Sequence, residues 1–370
     1  MISILAYSDI HFHQYANGVT IQDVVEVENQ VIQIAKERDP DFIVFCGDRY
    51  LSRNPTTETM LTAMKSLWHV ANLGIEVIIL VGNHDRATKS PYSEHSFGIV
   101  PLFRNEMPNV TVLDKLGSTT VRTKSGVKVE FHAVPAGHKL GGQELPVDGD
   151  ADFRIALFHD IIRGSKYTNG MVAPEGVSPA LLDREIYDLV LGGDNHQPQD
   201  LDFSNTLGLY IGAPLQHNWG DYGSERGCVY ATLTDENVNV ERIPLKYPVF
   251  VKEDVVVNSD DDIQNFIKNI GDKWRDNVVK CTFTGRADVF NGFQASKLHD
   301  KLKAKSGARS IKINLEHIVQ VPLLTAIKKT GTPQDEWLDY VRSKSEEFTD
   351  INRTKLEAIG MEIILDADRS

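Results

Sequence analysis

The amino-acid sequence predicts an α/β protein: two sheets packed face to face between helices, an αββα four-layer sandwich, followed by a small α/β unit and a helical tail. Three observations predict it. Residues 1–100 alternate strand-like apolar runs with amphipathic helical stretches. Between about 110 and 245 the texture changes to closely spaced short strands with few helices. Beyond Pro244 and Pro248 a second strand–helix alternation begins. Alternation of this kind implies a largely parallel sheet with helices on its faces, and the run of short strands implies a second sheet against the first.

Taken in order, Ile2–Tyr7 reads as the first strand. Thr20 with Asp23 gives a capping signal for a helix over Ile21–Arg38, whose Val24, Val27, Val31 and Ile34 or Ala35 form a core stripe. Asp41–Cys46 is the next strand. A second helix after Pro55 carries Met60, Leu61, Met64, Leu67, Trp68 and Ala71 and ends near Gly74. Glu76–Val81 is the third strand. The short strands are Val110–Leu113, Thr119–Arg122, Val127–Val134, Arg154–His159, Tyr187–Leu191, Leu207–Ile211, Cys228–Leu233 and Val238–Ile243, with Pro179–Arg184 as a short helix.

In the second alternation, strands Val249–Val257, Val278–Thr284 and Ser310–Leu315 enclose helices Asp260–Trp274 and Ala295–Lys305. Ser259 before three aspartates reads as a helix cap rather than a metal loop. Thr332-Pro333 opens a last helix, with Thr at the N-cap and Pro at the first helical position. Its apolar edge is Trp337, Leu338, Val341, Phe348 and Ile351. The domains so read are 1–245, 249–318 and the tail 332–370.

The chain has 370 residues and a net charge of −13, which argues against a broad basic surface that binds nucleic acid unaided. Divalent cations invert such a field locally, so a phosphate substrate stays open. Cys46, Cys228 and Cys281 are scattered, without metal or redox spacing. No apolar stretch approaches the length of a membrane span, and the first apolar run breaks at Ser8-Asp9 with no basic residues before it. The expectation is a cytoplasmic protein with no membrane association.

Five strands end in residues that bind metals. Asp9 and His11 follow the first strand, Gly47-Asp48 the second, and Gly82-Asn83-His84-Asp85 the third. His159 ends a fourth, and Gly193-Asp194-Asn195-His196 ends a fifth. One such residue is an ordinary turn or cap, but five in order describe a site at the carboxyl ends of neighbouring strands. A two-metal site needs a bridging carboxylate and N and O ligands around each ion. Asp48 suits the bridge. Asp9, His11 and His196 complete one shell, and Asn83, His159 and Asp194 the other. His84 is left as general acid or oxyanion stabiliser, with Asp85 to orient it.

This order of D-x-H, G-D, G-N-H-D, a lone His and a late G-x-x-H resembles the calcineurin-like metallophosphoesterase superfamily. Within it the chain is most similar to the SbcD-type nucleases and the T-even phage recombination endonuclease. Tyr210-Ile211-Gly212-Ala213-Pro214 resembles the family's Gly-Ser-Pro turn, and the small α/β unit and final helix fall where the family carries a DNA cap and an ATPase-binding helix. The resemblance implies two Mn²⁺ ions, with Mg²⁺ as a substitute, and both double-strand exonuclease and single-strand endonuclease activity. As partners it implies DNA, an SbcC-type coiled-coil ATPase, and a second copy docked through helices of the nuclease domain. Two positions depart from the pattern. Asp194 stands where the family has His, and Leu51 where it has His or Asp three residues after the bridging Asp. Candidates for substrate contact are Arg49, His13 and His217. The competing readings are a phosphatase or cyclic-nucleotide phosphodiesterase of the same superfamily, and a non-catalytic DNA-tethering subunit.

Overall fold

Strand β1 (Ile2–Tyr7) is apolar at every position but Ser3, and its side chains divide by parity. Ile2, Ile4 and Ala6 enter one core, Leu5 and Tyr7 another. A strand buried on both faces has no polar side to show, which explains the unbroken apolar run. The same division holds for β2 (Phe42–Phe45) and β3 (Glu76–Leu80). The computed structural model describes residues 1–139, 147, 149–290, 295–317, 332–343, 356–361 and 364.

The remaining strands of the sandwich are β4 (Val110–Leu113), β5 (Gly117–Arg122), β6 (Lys128–Val134), β7 (Phe153–His159), β8 (Leu189–Gly193), β9 (Gln199–Asp200), β10 (Leu207–Tyr210), β11 (Gly227–Leu233) and β12 (Val238–Pro244). Among the described residues they build two mixed sheets, in the orders β12-β11-β1-β2-β3-β4 and β9-β10-β8-β7-β6-β5. The central pairs β1–β2, β2–β3, β6–β7 and β7–β8 are parallel, so their carboxyl ends share one edge of the sandwich. Residues of both sheets, Ile4, Val44, Leu80, Phe131, Leu157 and Leu191 among them, form the core between them.

Helices α1 (Ile21–Arg38) and α2 (Thr57–Ala71) cover the outer face of the first sheet. Helix α1 starts on the predicted capping box of Thr20 and Asp23. The second sheet's outer face is covered by Ile162, Leu182 and Tyr187, from a segment whose only described helical piece is the 3-10 turn Pro179–Leu181.

The small unit is a parallel sheet of β13 (Phe250–Val257), β14 (Val278–Gly285) and β15 (Ser310–His317), with α3 (Asp260–Asn269) and α4 (Ala295–Ser306). Its core holds Ile263, Trp274, Phe283, Leu298 and Leu302. The helix expected over Asp260–Trp274 divides: α3 stops before Gly271, and Asp272–Trp274 is a separate 3-10 turn that delivers Trp274 to the core. Glycine weakens a helix interior. Ser259 and Asp262 form the expected capping box.

The small unit and the sandwich belong to one compact body, residues 1–317. Trp219 lies against Phe250 with ring centroids 4.9 Å apart, Gln216 accepts from the Phe250 amide at 2.7 Å, and Arg309 pairs with Asp23. Gly18, at φ 92°, lies so close to this seam that a Cβ there would come within 2.7 Å of Val278.

In the second body, residues 318–370, helix α5 (Pro333–Ser343) begins with Thr332 capping the Asp335 amide. Trp337 packs on Gly360, so part of the expected apolar edge is covered by the chain's own later segment. Phe348 and Ile351 lie outside the described residues.

Candidate metal centre

Each strand on the shared edge ends by turning its chain sharply. Asp9, His11, Asp48 and Asp194 all have left-handed backbone, at φ 51°, 50°, 58° and 77°. L residues other than glycine rarely adopt this region, and clusters of them mark functional sites. The packing behind them is tight. A Cβ on Gly47 would lie 2.4 Å from His159 Nδ1, and one on Gly193 would lie 2.1 Å from the Cys46 carbonyl oxygen. Only glycine lets these two loops close around the His159 ring.

The turns bring the expected ligands together. Asp9, His11 and His196 form one cluster, Asp9, Asp48 and His159 a second, and His11, Asp48 and His84 a third, with ligand atoms in each within 4.8 Å. Asp48 stands between them: its Oδ2 lies 3.8 Å from His11 Nε2 and 4.0 Å from His84 Nε2, while Oδ1 lies 3.3 Å from His159 Nε2. Two carboxylate oxygens facing different histidines is the disposition a bridging ligand needs. His159 Nε2 is also 3.8 Å from Asp194 Oδ1, and the Asp194 amide donates to Asp9 at 3.2 Å.

Donor chemistry fits divalent cations. The other ring nitrogen of each histidine is held by an oxygen: His11 Nδ1 by the Tyr50 carbonyl at 3.0 Å, His159 Nδ1 by the Cys46 carbonyl at 2.7 Å, and His196 Nδ1 by Asp221 at 3.0 Å. Such partners turn the Nε2 lone pair toward a metal. His11 Nε2 and His196 Nε2 confront each other at 3.0 Å. Asn83 Oδ1 is buried without a hydrogen-bond partner among the described residues, which is rare for buried polar atoms outside sites that take a ligand.

Charge gives the same answer. Burial, opposed by Asp48 but reinforced by His196 and His84, pushes His11 down to about 3, so its ring is neutral. Burial raises the Asp9 carboxyl. Burial also lifts Asp194 to about 6, with Asp9 and Asp48 adding to it against the pull of His159. Buried carboxylates this close together call for positive charge, and His159, which against its burial Asp48 holds well above the ordinary range, carries part of it.

His84 is the most open histidine of the cluster, with 36% of its side chain exposed against 23% for His196, 2% for His11 and none for His159. Asp85 does not orient it, contrary to expectation. The Asp85 carboxylate instead accepts from the backbone amides of Gly82, Asp48 and Arg49 at 2.8–3.0 Å, locking the two loops together. The group that holds His84 is the Leu51 carbonyl, 2.6 Å from Nδ1.

The substrate-contact candidates also fall elsewhere. Arg49 is fully buried, bonded to Glu28 at 2.8 and 3.1 Å and to the Ala63 carbonyl, so its guanidinium cannot reach a phosphate. His13 and His217 are buried as well; their rings meet the carbonyl oxygens of His11 at 2.6 Å and Asp9 at 3.0 Å, and so brace the D-x-H turn.

Asp221 was not legible as a site residue. It accepts from His196 and from the amide of His217 at 2.9 Å, and Arg226 lies 3.4 Å away. Although burial opposes it, the bond to His196 and the charges of His196 and Arg226 hold its carboxyl well below the usual range. Asp221→Ala is expected to weaken metal binding about 10–100-fold, the usual effect of removing a ligand's orienting carboxylate. Calorimetric titration of the metal-free protein with Mn²⁺ checks this.

Residues 2–198, just over half of the chain, match the family described as calcineurin-like phosphoesterase. Among solved structures, a protein of Thermus thermophilus is 14% identical with a TM-score of 0.39, covering 65% of this chain and 98% of its own. A dimetal phosphatase from Danio rerio is 8% identical with a TM-score of 0.44, covering 65% and 95%. The anchor protein of the Plasmodium inner membrane complex is 12% identical with a TM-score of 0.38, covering 66% and 89%. No described helix is long and apolar enough to cross a membrane.

Proposed function

Because the chain belongs to the calcineurin-like phosphoesterase family, and is thus a metal-dependent phosphoester hydrolase, we propose that its substrate is DNA and that it is the nuclease subunit of an SbcC–SbcD-like complex in recombination and repair. The observation that carries this reading is the small parallel α/β unit fixed against the sandwich. Its seam is made by Gly18 and Asp23, shortly after the D-x-H turn, and by Gln216 and Trp219, beside His217 and Asp221. A polymeric substrate extends well past the scissile phosphate, and a second unit beside the site offers it further surface.

Asp9, His11 and His196 would hold one Mn²⁺ and Asn83, His159 and Asp194 the other, with Asp48 reaching both. When bound, such a pair supplies Lewis acidity at the phosphate and a nucleophile at neutral pH. The histidines keep their lone pairs on the site because Tyr50, Cys46 and Asp221 fix the opposite nitrogens. His84 presents Nε2 from the solvent side and transfers a proton to the leaving oxygen or stabilises its developing charge.

Met60, Leu61 and Trp68 stand exposed on α2, which supports a second copy of the chain as a further partner. Helix α5 is the proposed dock for the coiled-coil ATPase. One assay tests the set: hydrolysis of single-stranded DNA, duplex DNA and a small phosphomonoester, with Mn²⁺, Mg²⁺ or chelator, by the full chain and by one lacking residues 332–370. Metal-dependent cutting of DNA is expected. With the coiled-coil ATPase and ATP added, the shortened chain should cut single strands normally and lose ATP-stimulated duplex degradation. Turnover of the monoester alone would make the protein a phosphatase, and bound metal without hydrolysis would make it a tether.

A further inference from the structure

Three loops leave the same edge of the sandwich as the metal ligands. They follow β3, β4 and β6, and between them lies a groove of about 440 Å³. Pro91 and Tyr92 form one wall, Lys115 and Leu116 another, and Gly137, His138 and Lys139 the third. The groove begins close to the metals. The Ala136 amide bonds to the Val81 carbonyl at 3.1 Å, two residues before Asn83, and the first loop continues directly from His84 and Asp85. Arg53, two residues beyond the Leu51 that holds His84, donates to the Thr88 carbonyl at 2.7 Å and fastens this loop.

The lining has an unusual chemistry for a chain of net charge −13. Among the described residues it contains two exposed lysines and no carboxylate, and Lys89 is exposed on the same loop. Tyr92 is 82% exposed, although an aromatic ring on a loop ordinarily finds cover. It is nevertheless not loose: its ring meets that of the buried His138 edge-on, with centroids 5.4 Å apart and planes at 83°. An edge-to-face contact with a single neighbour leaves at least one face of the ring open, in keeping with its exposure.

We propose that this groove is a subsite for the nucleotide next to the scissile phosphate, on the leaving side where His84 stands. An unpaired base stacks on Tyr92, and Lys115 and Lys139 take the adjoining phosphates. Single-strand binding surfaces combine these two elements, an aromatic face that accepts any base and a cationic track along the backbone. The inference rests on the nuclease reading and names where the strand runs within it.

The test uses the full chain with Mn²⁺ and two substrates, a short single-stranded oligonucleotide and bis(4-nitrophenyl) phosphate, which carries neither a base nor a second phosphate. Tyr92→Ala should lower the ratio of oligonucleotide to small-diester kcat/KM roughly 5- to 150-fold, the range for losing one stacked base, and Tyr92→Phe should restore it. Lys115→Ala with Lys139→Ala should flatten the salt dependence of oligonucleotide binding by about 0.7 in the log–log slope for each phosphate left without its lysine. An unchanged ratio and slope would overturn the subsite, as would an equal fall on both substrates, which would place Tyr92 in support of the metals. A wild-type protein that hydrolyses the small diester and leaves the oligonucleotide intact would overturn the nuclease reading itself.

Discussion

His84→Ala is expected to lose roughly 10²–10⁴ in turnover, the contribution of a positioned acid or base, while keeping both metal ions. The expectation follows from where the ring sits. His84 Nε2 lies 4.0 Å from Asp48, farther than His11 or His159, and its side chain is the most exposed of the cluster's histidines. Its Nδ1 is bound to a main-chain oxygen at Leu51, so the ring has one direction in which to act. Elemental analysis of the purified variant decides between roles. Two equivalents of metal with slow turnover make His84 catalytic, and an emptied site would make it a ligand.

Arg49→Ala is expected to destabilise the fold by about 3–5 kcal/mol, the usual cost of stranding one member of a buried ion pair. Its partner Glu28 is fully buried and also accepts from Tyr7 at 2.7 Å and from Ser66. Burial alone would raise the Glu28 carboxyl, yet the charge and hydrogen bonds of Arg49 bring it below its ordinary value. A depressed carboxylate stabilises the fold above its unfolded pKa, near 4.3, and loses that contribution as pH falls through the lower folded value. Without Arg49 the carboxyl is left to burial and takes up a proton readily. The difference between wild type and variant should therefore be largest at neutral pH and shrink in acid. Urea unfolding at pH 7.5 and pH 4 measures both; equal differences at the two values would mean that lost packing, not the ion pair, sets the effect.

Much of this architecture is legible in the sequence because the ligands come at the ends of strands buried on both faces. Such strands leave continuous apolar runs, and the first residue after each run with a metal-binding side chain is placed at the shared edge. The capping boxes at Thr20 and Ser259 are legible for a similar reason, since both partners lie within one turn. What escaped depends on contacts that composition does not encode. Leu51 serves the site through its carbonyl, which every residue possesses. Asp221 meets His196 from 25 positions away, in a turn where Asp is commonplace. Glu28 is itself a legible signal: it stands among Val24, Val27 and Val31 on the buried stripe of α1, where a carboxylate demands a partner.

The left-handed turns at Asp9, His11, Asp48 and Asp194 also bear on how such a centre changes over evolutionary time. At these four positions selection acts on the main chain before it acts on the donor atom. Outside glycine, the conformation admits chiefly Asn, Asp and His, and all three coordinate metals through short, polar side chains. A lineage can therefore exchange one ligand type for another here without refolding the loop, while a step to valine or isoleucine is closed on steric grounds. A His in place of Asp194 would be an exchange of the permitted kind. The backbone confines this corner of the protein to a small alphabet, and every letter in it can hold a cation.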